Sequence, residues 1–299
     1  VISLSSWPLY VKAVKESAIK RRVQGVAMQM VDSGVGYDDL QKMVADLNGV
    51  FTGRGEKDGV TLMDGVVDWM GRQQTKPDYI RCGYERMDKY TFIEPGDYMV
   101  IGGRPSDGKT AFALNLAVNM AKAGRRVVFF SLETRYQKII DRLVAAFCNL
   151  SITDIKRRAI QTYPAADIDA LAQLPITIVE ASGKTVGWMR AQATRYKADI
   201  VVVDYLQLVR SAGKDRFEKV TNISQELHEM AQGEKVVVIA LSQLARKGDR
   251  APVLEDLRES GQIEQDADLI VLLNREKDSD DETIIIAKNK EGQTGDIGF

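Results

Sequence analysis

Residues 103–110 read Gly-Arg-Pro-Ser-Asp-Gly-Lys-Thr, which is the spacing of a phosphate-binding loop, G-x-x-x-x-G-K-[ST]. The glycines permit turns that aim loop amides and the following helix N-terminus at phosphates. Lys109 would place its ammonium on the β- and γ-phosphate oxygens, and the Thr110 hydroxyl would bind Mg²⁺. The spacing therefore predicts a site for ATP, or another nucleoside triphosphate, with Mg²⁺. The residues predicted to line it are Gly103, Arg104, Pro105, Ser106, Asp107, Gly108, Lys109, Thr110 and Ala111.

The sequence on both sides of this loop supports the prediction. An apolar run, DYMVIGG, precedes it, and the helix formers GKTAFALNLAVNMAKAG follow, so strand, loop and helix come in the required order. A second Gly-Lys-Thr occurs at residues 183–185, but Ile178 stands where the upstream glycine is needed. We interpret this second triplet as an ordinary turn between a strand and a helix.

Other polar residues follow apolar runs elsewhere in the chain. Asp204 ends DIVVVD, Glu133 follows VVFFSL, and Gln243 follows VVVIALS. In an open parallel sheet, ligands bind at the carboxyl ends of the strands, where the phosphate loop also lies. Taken singly, such residues are often only caps or turn formers. Together with the loop, they predict that Asp204 helps to hold Mg²⁺, Glu133 orients the attacking water and Gln243 senses the γ-phosphate.

The elements that must position these residues form a repeating pattern from about residue 97. Continuous runs rich in Val and Ile are typical of strands buried on both faces of a parallel sheet, and the segments between them are long enough for crossover helices. The seven runs are DYMVIGG, RVVFFSL, PITIVE, DIVVVD, KVVVIALS, DLIVLL and ETIIIAK. Only NREKDSDDE separates the last two runs, which indicates a hairpin. The predicted class is α/β, a phosphate-loop NTPase core with a mostly parallel central sheet, preceded by a small helical segment.

The first 75 residues contain no strong strand signal. Helical spacing of apolar residues predicts helices over residues 7–34, 37–51 and 61–74, and a glycine-punctuated linker precedes the third. One side of that third helix carries Leu62, Val66, Trp69 and Met70. This apolar side needs a partner, either the core of the same chain or a neighbouring subunit.

The composition of the chain disfavours several classes of function. The 299 residues carry a formal net charge of −1, so any polyanion must be bound by a local patch or by backbone amides. His228 is the only histidine, which disfavours zinc sites and Ser-His triads. Cys82 and Cys148 show no pairing by spacing, in keeping with a reducing compartment. No run approaches the ~20 apolar residues of a membrane span, and we expect no membrane partner.

Five stretches together resemble the DnaB-type replicative helicases: GGRPSDGKTAFALNLA, SLE, VVVDYLQLV, ALSQLAR and DLRESGQIEQDADLIVLL. The resemblance begins near residue 80 and implies a RecA-like ATPase and helicase domain over residues 81–299. It further implies a homo-hexameric ring that hydrolyses ATP to translocate 5′→3′ on single-stranded DNA and to unwind duplex. Residues 56–80 would contain a linker helix docked on the next subunit, and residues 1–55 would be a remnant of an N-terminal domain. Expected partners are a primase and a helicase loader, in the cytoplasm of a bacterial or phage-infected cell.

The same resemblance points to DNA-binding residues. In the family, the loop with LRESG follows the DNA backbone, which implicates Arg258, Glu259 and Gly261. The run RSAGKDRFEK at residues 210–219 is a candidate for a second pore loop, through Arg210, Lys214 and Arg216. The alternative for this run is an ordinary solvated surface.

One position departs from the family pattern. Members read Lys-x-Arg after the strand equivalent to TIIIAK, and both residues reach the γ-phosphate held by the adjacent subunit. Here the residues are Lys288-Asn289-Lys290, so a lysine stands where an arginine finger is expected. Lysine keeps the charge but loses the planar fork of arginine. The resemblance therefore implies that Lys290, Lys288 or another arginine carries this role.

Three other functions fit parts of the sequence. A RecA-like recombinase or repair ATPase that forms filaments on DNA would share the phosphate loop and the acidic strand ends. A nucleotide-binding adaptor without motor activity would accommodate the substitution at Lys290. A RecA-fold kinase would share the fold, but nothing in the sequence specifies a protein substrate.

Overall fold

The computed structural model describes residues 7–30, 60–75, 77–245, 250–257, 261–275 and 282–298. The chain divides into two compact units, Val1–Asp78 and Tyr79–Phe299. The helix predicted over residues 37–51 lies outside the described residues. Within the described ranges, no helix combines the length and the apolar character needed to cross a bilayer.

Among its described residues, the first unit contains the helices α1 (Trp7–Met30) and α2 (Leu62–Arg72), which correspond to the first and third of the predicted helices. The hydroxyl oxygen of Thr61 accepts a hydrogen bond from the amide of Asp64 at 3.2 Å and thereby caps the start of α2. Within this unit Leu62 is 85% exposed and Trp69 is 49% exposed. The apolar side of α2 is therefore only partly covered.

The second unit is built on one sheet of eight strands in the order β3-β2-β4-β5-β1-β6-β7-β8. The first six strands in this order are parallel, whereas β7 and β8 join antiparallel. The strands are β1 (Tyr98–Gly103), β2 (Val127–Ser131), β3 (Ile176–Glu180), β4 (Ile200–Asp204), β5 (Val237–Gln243), β6 (Leu269–Arg275), β7 (Glu282–Asn289) and β8 (Gly295–Gly298).

Helices cover both faces of this sheet. In chain order they are α3 (Glu85–Asp88), α4 (Lys109–Lys122), α5 (Tyr136–Phe147), α6 (Ile152–Arg157), α7 (Ala165–Ala172), α8 (Val186–Arg195), α9 (Arg216–Glu234) and α10 (Gly261–Asp266). Successive side chains of a strand point to opposite faces of the sheet, which places the core residues in two clusters. In β1, Met99 packs in the cluster that contains α4 and α5, and Val100 packs in the cluster that contains α8 and α9. The result is a three-layer α/β/α unit.

The seven predicted strands are all present, and β6 and β7 form the predicted antiparallel pair. The eighth strand was not predicted, because Gly295–Gly298 contains a single apolar residue, Ile297. The second Gly-Lys-Thr triplet is confirmed as a turn before a helix. The Thr185 side chain accepts a hydrogen bond from the amide of Trp188 and caps α8.

Candidate active site

The phosphate-loop motif lies between the end of β1 at Gly103 and the start of α4 at Lys109. Gly108 adopts φ +82°, a left-handed conformation that glycine takes without strain. The loop is closed from within, because Asp107 Oδ2 accepts a hydrogen bond from the amide of Arg104 at 2.7 Å. Strand, loop and a helix of 14 residues therefore have the arrangement in which a helix N-terminus binds phosphate.

The ammonium of Lys109 lies across the base of the loop. Its Nζ donates to the carbonyl oxygens of Gly103 and Arg104, each at 2.8 Å. Because an ammonium has three donors, one remains for a ligand oxygen. Burial lowers the pKa of Lys109 from its ordinary value, and the carboxylates of Asp107, Asp204 and Glu133 oppose that shift.

Thr110 and Asp204 meet at the carboxyl edge of the sheet. Thr110 Oγ1 donates to Asp204 Oδ2 at 2.9 Å, and Asp204 is only 7% exposed. Burial raises the pKa of Asp204. The hydrogen bond from Thr110 and the charge of Lys109 work against that rise, and the charge of Glu133 adds to it. A hydroxyl beside a carboxylate is an oxygen pair suited to Mg²⁺. The described residues contain no group of three or more acidic, histidine or cysteine side chains placed to hold a metal, so phosphate and water would supply the remaining ligands.

Glu133 lies in the turn after β2, beside this pair. The amide of Leu132 donates to the carbonyl of Asp204 at 2.9 Å, which joins the ends of β2 and β4. The Ser131 hydroxyl donates to the carbonyl of Thr134 at 2.6 Å and shapes the turn. Glu133 itself is exposed, and its charge adds to the rise that burial causes in the pKa of Asp204 and in the pKa of Tyr205. The carboxylate thus faces the site while remaining in contact with water.

Gln243 ends β5, next to β1. Its backbone is held by Gln207, a residue that was not singled out from the sequence. Gln207 Oε1 accepts from the Gln243 amide at 3.3 Å, and Gln207 Nε2 donates to Ser242 Oγ at 2.9 Å. The segment after β4 therefore controls where the end of β5 lies. The only sequence signal was the position of Gln207 three residues after Asp204, in VVVDYLQLV.

A second connection that sequence reasoning missed leads away from the loop. Arg104 Nη2 donates to the carbonyl of Arg250 at 2.5 Å, and Arg250 Nη2 donates to Asp256 Oδ1 at 2.8 Å. Asp256 is 1% exposed and also accepts from the amide of Val253 at 3.1 Å. The buried Nε of Arg104 has no hydrogen-bond partner among the described residues. The phosphate loop is thus tied to the segment that leads to DLRESG.

The predicted DNA-binding residues fall in two places. Arg258 and Glu259 lie outside the described residues, whereas Gly261 begins α10 and is exposed, with open space where a Cβ would be. Arg210 and Lys214 are exposed on the loop between β4 and α9. The run at residues 210–219, the candidate for a second pore loop, is not a loop throughout. Asp215 caps α9, so Arg216 belongs to the first turn of that helix.

Lys288 and Lys290 lie at the opposite end of the strands from the phosphate loop. We call this the amino edge, because the parallel strands begin there. Lys288 pairs with Ile270 across the β6–β7 ladder, and Ile270 is opposite Val100 of β1. Gly103 lies three residues further along β1, which at the rise of a strand is about 10 Å, and β6 stands between β7 and β1. The two lysines are therefore separated from the phosphate loop of their own chain by more than half the length of β1 and by one intervening strand.

Comparison with known proteins agrees with these observations. The family model described as DnaB-like helicase C terminal domain matches residues 80–299. A replicative DNA helicase, DnaC, from Bacillus subtilis is 30% identical over an alignment covering 97% of this chain and 72% of the relative. A replicative helicase DnaB from Pasteurella multocida is 36% identical over 73% of this chain and 52% of the relative. A solved DnaB-like replicative helicase, studied with its interactions with primase, superposes with a TM-score of 0.71 and 29% identity, over 100% of this chain and 78% of that one.

Proposed function

The chain belongs to the family of DnaB-like replicative helicases, and from that premise we propose that it is the ATP-driven motor of a hexameric ring that moves along single-stranded DNA and separates duplex. The observation that carries the proposal is the distribution of the predicted site residues over the two ends of the sheet. Lys109, Thr110, Glu133 and Asp204 lie together at the carboxyl edge, and Lys288 and Lys290 lie at the amino edge.

Each residue at the carboxyl edge has a role that its contacts support. The remaining donor of Lys109 binds a γ-phosphate oxygen, and the loop amides bind the β-phosphate. Thr110 and Asp204 would hold Mg²⁺, which neutralises charge on the phosphates when it is bound. Glu133, exposed and acidic, orients the attacking water and takes up its proton. Gln243 reports the presence of the γ-phosphate to the segment held by Gln207.

The amino-edge lysines act on the nucleotide of a neighbouring copy. They are too far from the phosphate loop of their own chain to contact its triphosphate, so a contribution from them requires a second copy. The exposed apolar side of α2 supports the same assembly, because Leu62 and Trp69 gain a partner if α2 docks on the next subunit. A head-to-tail contact of this kind closes into a ring when its rotation closes.

DNA would be bound inside that ring by short basic loops rather than by a basic protein surface. The net charge of −1 is no obstacle, because six copies of Arg210, Lys214 and Arg258 suffice to follow a phosphate backbone. By analogy with the relatives, we propose 5′→3′ movement, a primase and a helicase loader as partners, and the cytoplasm of a bacterial or phage-infected cell as the compartment.

Unwinding of a forked DNA tests this proposal. We expect ATP-dependent strand separation by the full-length protein and none by Glu133→Ala, which keeps the loop but loses the water-orienting carboxylate. Electron micrographs with ATP should show closed rings, whereas filaments would favour a recombinase. A protein that binds nucleotide and DNA but never unwinds would be an adaptor.

A variant of the trans residue separates binding from hydrolysis. Lys290→Ala should abolish DNA-stimulated ATPase activity and leave the affinity for ATP nearly intact, because the phosphate loop of the neighbouring subunit holds that nucleotide. Unchanged turnover in this variant would remove Lys290 from the mechanism.

A further inference from the structure

Both amino-edge lysines are already engaged within their own chain. Lys288 Nζ donates to the carbonyl oxygen of Glu264 at 2.5 Å and to that of Gln265 at 3.2 Å, near the C-terminus of α10. Lys290 Nζ lies 2.5 Å from Asp268 Oδ1. Neither ammonium has used all three of its donors in these contacts, so each can still bind a phosphate oxygen.

Asp268 is itself held in place, at the start of β6. Its Oδ2 accepts from the amide of Tyr98 at 2.8 Å, and its own amide donates to the carbonyl of Tyr98 at 2.8 Å. Its carbonyl accepts from the amide of Lys290 at 3.0 Å. The Asp268 side chain is 19% exposed and that of Lys290 is 42% exposed. A fixed carboxylate thus contacts an ammonium that is open to solvent on its other side.

We propose that Asp268 is a positioning residue, which holds the Lys290 ammonium ready for the triphosphate of the neighbouring subunit. The proposal rests on the proposed function, in which Lys290 acts in trans. A planar guanidinium is preorganised, whereas lysine must fix four flexible methylene groups before it can serve as a point charge. Asp268 supplies that fixation through one oxygen, because its other oxygen is committed to the amide of Tyr98. This contact offsets part of the preorganisation that the chain loses by having lysine in place of arginine.

Asp268→Asn is the direct test, because asparagine keeps an acceptor for the Tyr98 amide while replacing the oxygen that faces Lys290 with an amide group. We expect the DNA-stimulated kcat to fall about tenfold. The free energy that corresponds to this fall is smaller than the rotamer entropy that a freed lysine regains. The affinity for a fluorescent ATP analogue and the thermal midpoint should stay close to wild type. Glu291→Gln is the matched control, since it removes a neighbouring exposed carboxylate that Lys290 does not contact and should leave kcat unchanged.

Two further variants link the effect to Lys290. In a Lys290→Arg background, Asp268→Asn should cost less than about threefold, because arginine needs less positioning. Since Lys290→Ala leaves no DNA-stimulated turnover to lower, Asp268→Asn is scored in that background by its thermal midpoint, which should be unchanged and thereby separates a positioning role from a loss of folding.

The possible failures are distinguishable. If Lys290→Ala is inactive but Asp268→Asn turns over ATP like wild type, the positioning role is wrong and the trans role stands. If Lys290→Ala is fully active, the trans role itself is wrong. A rise in turnover for Asp268→Asn, or an equal fall for Glu291→Gln, would also overturn the positioning role.

Discussion

Replacing Gly103 with alanine tests whether the end of β1 determines where Lys109 lies. The added Cβ would stand 2.8 Å from Lys109 Cγ and 3.2 Å from its Cδ, so the lysine must move. It would then give up the 2.8 Å hydrogen bonds that now aim it across the loop. A hydrogen bond to a charged group contributes about 1.5–3 kcal/mol. A misplaced lysine that forfeits one such bond to phosphate should therefore lower kcat/KM about ten- to hundredfold.

The neighbouring Gly102 provides the control. An alanine there would place its Cβ 2.7 Å from Leu272 Cδ2 and 3.0 Å from Leu244 Cδ2, in the core rather than in the site. Overpacking of this kind costs about 1–3 kcal/mol and lowers Tm by about 2–4 °C per kcal/mol. The assay pairs steady-state ATPase activity with thermal unfolding. Gly103→Ala should change mainly the ATPase activity, and Gly102→Ala should change mainly the thermal midpoint. A Gly103→Ala protein with wild-type kcat/KM would refute the reasoning.

Three other changes have distinct expected outcomes. Burial raises the pKa of Asp204, so the folded state binds a proton more tightly than the unfolded chain does, and the stability from that proton grows as pH falls through the folded pKa. Asp204→Asn should accordingly raise stability at neutral pH by about 0.5–2 kcal/mol in thermal unfolding while eliminating hydrolysis. Wild-type turnover should decline on acidification at a higher pH than for an exposed aspartate. Gln207→Ala removes the contacts to Ser242 and to the end of β5, and we expect ATP binding to persist while DNA stimulation falls. Arg250→Ala takes the guanidinium from buried Asp256 and should cost about 1–3 kcal/mol in denaturant unfolding.

Hydropathy pattern was sufficient for most of the fold because its strands are buried on both faces. Runs such as DIVVVD are typical of strands buried on both faces of a parallel sheet, and that is where β4 lies. β8 could not be predicted in this way. Gly295–Gly298 pairs with β7 through backbone hydrogen bonds, and only Ile297 contributes a buried side chain. The start of α9 inside the run at residues 210–219 was also missed, because the cap formed by Asp215 is one polar residue among several in that run.

The residues of the candidate site also fall into two groups, those that a sequence rule predicts and those that depend on contacts in space. Lys109 and Thr110 follow from a local motif, and Asp204 and Glu133 follow from the rule that parallel strands end at one edge. Gln207 has no comparable signal, since its role depends on which strand lies beside β4 in space. Arg250 is a similar case, because its carbonyl accepts from Arg104, which lies 146 residues away in the sequence.

In the proposed assembly, each molecule holds its phosphate loop at the carboxyl edge of its sheet and, because β7 runs antiparallel to β6, its two lysines at the amino edge. A linear string of n such molecules would then always contain one phosphate loop without a neighbour's lysines and one pair of lysines without a nucleotide, and only ring closure removes both. Turnover per chain should then rise steeply with protein concentration, well beyond what a set of independent ATPases would show.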